Sequence, residues 1–250
     1  MIRSSLIVAG LLLAATQSPA AAPPASIAAA VADPSRPDAD RQRDAERKPA
    51  EMLAFAGVKP GMVVVDMMPG GGYFTRVFAK AVGPQGKVMA YVPDEVLARA
   101  PKALDRINAL AAEPGYGNVM ATHNPLMAPG PDNAVDVVWT SQNYHDFHGM
   151  PGADLVGFNK LVYRSLKPGG VYVVLDHSAP AGSGLANISD LHRIDPVAVR
   201  KEAEAAGFVY DGESKVLANP ADPRTAKVFD PSIRGHTDQF VLRFRKPKRG

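Results

Sequence analysis

A doubly wound α/β fold built on a mainly parallel, seven-stranded sheet is what this sequence predicts, on three observations. Short β-branched apolar runs such as Val63-Val64-Val65 and Val135-Asp136-Val137-Val138 recur along the chain, the mark of strands buried on both faces. Helix-compatible stretches of ten or so residues separate most of them, so consecutive strands are joined by helices rather than by tight hairpins. Glycine-rich turns lie behind the first strand and ahead of the fifth, at residues 69–72 and 167–170.

Taken in order, residues 1–22 read as a secretory signal. Arg3 supplies the positive start, residues 6–15 an apolar run, and Ser18-Pro19-Ala20 or Ala20-Ala21-Ala22 a small-residue cleavage site. That run is too short for a hydrocarbon core that needs about 20 helical residues. A cleaved leader is expected, and with it a periplasmic or secreted protein that keeps no transmembrane segment. Residues 23–40, rich in Ala, Pro and Ser, are expected to be a flexible linker, and residues 41–250 to be the folded domain.

A helical pattern over 41–56 is interrupted at Pro49 and stopped at Gly57. The spacing then predicts a strand at 62–66, a helix over 73–82, a strand at 87–92 and a helix over 95–112. Strands at 118–122 and 134–140 follow, then a helix over 153–166, the turn 167–170 and a strand at 171–176. A helix over 196–206 precedes strands at 207–217 and 238–245, which, if paired, form an antiparallel hairpin at one edge. Residues 219–237, rich in Pro and Asp, join those two strands as a long loop, either mobile or a lid.

Composition narrows the function. With 250 residues and 46% hydrophobic content the chain can bury one full core. It has no cysteine, so disulfides, thiolate metal sites and a cysteine nucleophile are excluded. The net charge is only +3, and apart from the tail at Arg243, Arg245, Lys246, Lys248 and Arg249 the basic residues are dispersed, so no nucleic-acid partner is expected. No Gly-x-Ser-x-Gly elbow follows a strand, which disfavours a serine hydrolase. No lysine follows the glycine loop as phosphate chemistry would require.

In open α/β sheets ligands sit beyond the carboxyl ends of the strands, where the strand order reverses. Asp66 followed by Pro69-Gly70-Gly71-Gly72 places a carboxylate and a tight backbone loop at the end of the first strand, with Tyr73 opening a helix. Such a loop lets the backbone approach a ligand, and free amides at the helix start favour an anionic group. After the fourth strand comes Asn143-Tyr144-His145-Asp146, where an imidazole beside a carboxylate can move a proton near neutral pH. Asp176 and His177 end the fifth strand, and His192 and Asp195 lie in the following loop. Asp195, ahead of Pro196, reads as an ordinary helix N-cap. The spacing of His145, His177 and His192 matches no tight zinc or iron motif, so no metal ligand is assigned.

Over about 200 residues from Arg41 the chain resembles the class I S-adenosylmethionine-dependent methyltransferases. The resemblance rests on Val63-Val64-Val65-Asp66 with Gly70 and Gly72, Gly86-Lys87-Val88, Val135-Asp136-Val137-Val138 and Leu166-Lys167-Pro168-Gly169-Gly170. More narrowly it is similar to an exported bacterial group with the segments seen here at residues 69–73, 143–146, 192–195 and 219–230. The resemblance implies S-adenosylmethionine as cofactor, its amino-acid end held by Asp66, Pro69, Gly70, Gly71, Gly72 and Tyr73. It implies Asp94 or Glu95 at the ribose, since Val92 holds the usual place of the acid, and Met68 stands where the pattern has its first glycine. His123 and Asn124 would meet the adenine or serve the loop, and Asn143 would border the cofactor. His145, Asp146 and His192 are the catalytic candidates, acting on a small or lipidic acceptor. Two other readings stand beside this one: a non-catalytic exported ligand-binding protein on the same scaffold, and a metal-assisted hydrolase.

Overall fold

Alternation along the strands sets the architecture. In the computed structural model, which describes residues 22–126 and 131–248, β1 (Val63–Met67), β2 (Lys87–Pro93), β3 (Val119–Asn124), β4 (Val135–Ser141), β5 (Leu166–His177), β6 (Val209–Ser214) and β7 (Gln239–Arg245) form one sheet. The order is β3-β2-β1-β4-β5-β7-β6. The first five strands are parallel, and β7 runs antiparallel to both β5 and β6. The fold is thus the one the sequence predicts, with β7 wedged between β5 and the edge strand β6.

Successive side chains of β1 and β4 enter different cores. Val64, Val137 and Trp139 pack on one face with α4 (Pro49–Ala56) and α5 (Tyr73–Val82). Val65, Met67 and Val138 pack on the other with α8 (Tyr144–Phe147), α9 (Leu155–Ser165) and α10 (Pro196–Ala205). Phe74 and Phe78, one turn apart on α5, meet the Trp139 ring edge-on at 4.8 and 5.6 Å. Such aromatic contacts add to the burial of large apolar area. They fix α5, and with it the glycine loop at its start, over β1 and β4.

Several expectations need correction. Residues 23–40 are not a linker: they contain α1 (Ala25–Val31) and the start of α2 (Asp38–Arg41), and Ile27 and Ala30 are buried in the core. Alanine is both the best helix former and small enough for close helix packing, so the composition that suggested flexibility builds a docked helix. The helix expected over 95–112 is two, α6 (Asp94–Arg99) and α7 (Asp105–Ala112), divided around Pro101, whose ring cannot continue a helix. The turn 167–170 lies inside β5, where the register against β4 shifts between Val135 and Val137 and Gly169 takes φ +83°.

The loop 219–237 is pinned. Arg193 and Asp222 form a fully buried ion pair at 2.8 Å, and the Asp222 carboxylate also accepts the amides of Arg224 and Asp238. The signal expected at 1–22 lies, but for its last residue, outside the described residues, as does Arg249 of the basic tail. Among the described residues no helix is long and apolar enough to cross a membrane.

Candidate functional site

The strand order reverses between β1 and β4, and the crevice above their carboxyl ends is where the chemistry-bearing residues gather. Asp66, near the end of β1, is buried and accepts a hydrogen bond from the Thr75 hydroxyl of α5 at 2.6 Å. Burial pushes its carboxyl up to about 7, against the opposing pull of Thr75 and of the Arg47 charge. The chain then turns through Met68 at φ +51°, Gly70 at +58° and Gly72 at +82°. A side chain on Gly72 would come within 3.1 Å of Leu110 and 3.2 Å of Ile107, whereas one on Gly70 would meet open space. Gly72 therefore serves packing, and Gly70 leaves its backbone bare toward a cavity.

That cavity, about 390 Å³, is lined by Asp66, Pro69, Gly70, Gly71, Tyr73, Asn143 and Asp146. Its far wall comes from residues for which sequence reasoning gave no role, Asp40 of α2, Arg43, and Arg47 of α3 (Asp44–Arg47). Arg47 donates to the Ser141 hydroxyl at 3.0 Å and lies 4.8 Å over the rings of both Tyr73 and Phe74. Burial lowers its pKa to about 10, so it stays a fixed cation at neutral pH. The Tyr73 hydroxyl donates to Asp44 at 2.6 Å, and Asp44 takes both nitrogens of Arg36. The amino-terminal segment is thus fastened to the start of α5 and closes the crevice.

Asn143 acts as a buttress: its amide donates to the Met67 carbonyl at 2.9 Å and its oxygen accepts from Thr140 at 2.7 Å. Two residues on, α8 presents His145. Its Nδ1 meets Asp176 at 2.8 Å and its backbone amide donates to the same carboxylate. Its Nε2 stands 3.3 Å from Asp146 Oδ1 and 3.3 Å from His192 Nδ1. Burial alone would lower the pKa of His145, but Asp176 and Asp146 outweigh it and raise it to about 10. His177 faces Thr237 at 2.7 Å and is pushed by burial down to about 4, hence neutral.

A second cavity of about 300 Å³ opens beside this cluster, walled by Met68, Val96, Met150 and Ile188 and bordered by Glu95, His145, Asp146 and His192. Met68 and Asp146 belong to both cavities. The catalytic candidates His145, Asp146 and His192 are therefore brought together, next to the glycine loop. The outlying candidates are not. Asp94 pairs with His123 at 2.7 Å, both exposed, and Asn124 gives its carbonyl to the Tyr91 hydroxyl. The lining of neither cavity includes them; Glu95 faces the second cavity instead, one residue further along α6. Asp195 caps α10 through the Val197 amide, as its place before Pro196 predicts.

Comparison with known proteins bears on this geometry. A methyltransferase domain family matches residues 65–174, the stretch from the middle of β1 through most of β5. The chain is 30% identical over 192 residues to the ubiquinone/menaquinone biosynthesis C-methyltransferase UbiE of Hydrogenovibrio crunogenus, a match covering 76% of this chain. The chain belongs to the class I S-adenosylmethionine-dependent methyltransferase superfamily. It spans 66% of the length of that relative. Among solved structures, the [4+2]-cyclase SpnF superposes with a TM-score of 0.60 at 20% identity, covering 84% of this chain and 82% of its own. An S-adenosylmethionine-dependent methyltransferase from Aquifex aeolicus gives 0.57 at 20% identity, covering 82% and 93%. These two likenesses show the superfamily's fold.

S-adenosylmethionine is the cofactor that these matches support. The residues present fit its amino-acid end: the bare backbone at Gly70 and the cations Arg43 and Arg47 suit a carboxylate, and the carboxylates of Asp40 and Asp66 suit an ammonium group. At the ribose end Val92 is apolar and buried; Glu95 borders the second cavity instead, where its carboxylate accepts the Leu126 amide.

Proposed function

We propose that this protein transfers a methyl group from S-adenosylmethionine to a small-molecule acceptor seated in the cavity beside His145. The observation that carries the reading is the fixed cation of Arg47 facing the glycine loop across a cavity at the strand-order reversal. When bound, the cofactor supplies an electrophilic methyl group on a sulfonium. Arg43, Arg47 and the loop amides would hold its amino-acid end, while Glu95 borders the acceptor cavity on the other side of Met68. Asn143 keeps the loop in place through Met67, and Met68 forms the partition between cofactor and acceptor. Much of the rate in such a displacement comes from positioning, which a rigid crevice supplies.

The acceptor cavity has apolar walls at Met68, Val96, Met150 and Ile188 with one polar side. That lining suits a ring carrying hydroxyl or carbonyl oxygens, consistent with the quinone-pathway C-methyltransferases among the relatives. Residues 1–22 would export the protein, so that the reaction takes place outside the cytoplasm. The test is transfer of labelled methyl from S-adenosylmethionine to a panel of reduced benzoquinones and naphthoquinones by the full chain, read by mass. A product one methyl heavier is expected. Cofactor binding without any transfer favours a ligand-binding protein instead, a reading supported by the apolar Val92 at the usual place of the ribose acid.

A further inference from the structure

The histidine cluster carries more than a proton-transfer role requires. His145 Nε2, His192 Nδ1 and Asp146 Oδ1 form a triangle with sides of 3.3, 3.3 and 3.6 Å. With metal–ligand distances of about 2.0–2.1 Å, the edge of a coordination tetrahedron is about 3.3–3.4 Å. We propose that these three atoms bind a divalent transition-metal ion of the zinc or iron(II) class, a site of two imidazoles and one carboxylate.

Three further features support the assignment. Asp176, fully buried, holds His145 Nδ1 at 2.8 Å; a carboxylate behind a ligating imidazole fixes its tautomer and raises its basicity, the usual support around protein-bound metals. His192 reaches the cluster from a left-handed backbone at φ +54°, a conformation that costs about 1–2 kcal/mol in a non-glycine residue and persists where the surroundings impose it. Those surroundings are rigid: the next residue, Arg193, is locked by the buried pair with Asp222 and donates to the Ser178 carbonyl. The three ligands leave the face toward the second cavity open, so a water or an acceptor oxygen completes the coordination. The donor set lacks sulfur and includes two imidazoles, which suits zinc or iron(II) rather than calcium or magnesium. The site stands on its own geometry, whatever the outcome for methyl transfer.

The test is calorimetric titration of the chelator-treated full chain with Zn²⁺, with and without S-adenosylhomocysteine in the same buffer. One zinc per chain with micromolar or tighter affinity is expected, weakened at least tenfold both by His192→Ala and by Asp176→Asn, in which the three ligands remain. Any variant that fails to fold by circular dichroism is replaced by Asp146→Asn, whose side chain is 40% exposed, with the same loss expected. Absence of saturable one-to-one binding, or binding that the variants leave unchanged, overturns the proposal.

Discussion

The two walls of the crevice are built in opposite ways. The glycine-loop wall is nearly continuous in sequence, from Asp66 to Tyr73, and is shaped by backbone: positive φ angles at Met68, Gly70 and Gly72 and a helix start. The histidine wall is assembled from side chains on α8, the end of β5 and the loop after it, brought together by the Ser178–Ile194 bridge and the Arg193–Asp222 pair. A contiguous loop can hold a cofactor that many relatives share. A wall assembled from three separate segments can be altered one residue at a time, which suits it to the acceptor.

The contrast makes separable predictions. The largest effect belongs to the anchor of the histidine wall: Arg193→Met leaves Asp222 buried without its partner and should cost about 3–5 kcal/mol of stability in urea unfolding. The next concerns the cation on the cofactor side. Arg47→Ala should weaken S-adenosylhomocysteine binding by about 1.5–3 kcal/mol, roughly ten- to a hundredfold, while leaving the His145–Asp176 contact intact.

A third difference is in pH. Because burial holds the Asp66 carboxyl near 7 in the fold, against 3.8 as its ordinary value, the folded chain binds more protons than the unfolded one between these limits. The stability contributed by Asp66 is thus full below about pH 4 and is lost as the pH rises through 7. Asp66→Asn should flatten that slope in unfolding curves from pH 4 to 8; an unchanged slope would assign it to other groups. The smallest effect is at Met68, where replacement by glycine removes a left-handed non-glycine residue and should change stability by no more than about 1–2 kcal/mol, in the stabilising direction.

The same contrast explains what the sequence disclosed. The strand, loop and helix around Asp66 are legible because each step has a local cause, and the helix expected over 73–82 matches α5. The cap at Asp195 was legible for the same reason. Arg47 was not, since it lies in a run of charges from Arg36 to Arg47 with no local mark of a buried role; only the docking of the amino-terminal helices on α5 buries Arg36 and turns Asp40 and Arg47 toward the cavity. Asp94 and Glu95 differ by a single helical step, and the start of α6 directly after Pro93 decides which of them faces the cavity. His145 and His192 are 47 residues apart in the chain, so no spacing motif could signal that their nitrogens meet.

Under the proposed function the crevice above β1 and β4 receives the amino-acid end of the cofactor. Gly70→Asp tests it most directly: aspartate tolerates a left-handed backbone, its Cβ meets open space, and its carboxylate would stand where the cofactor carboxylate belongs. Calorimetry of S-adenosylhomocysteine against the full chain should show micromolar binding by the native protein and none by the folded variant. Equal binding by both, or no binding by the native chain at millimolar ligand, would contradict the account.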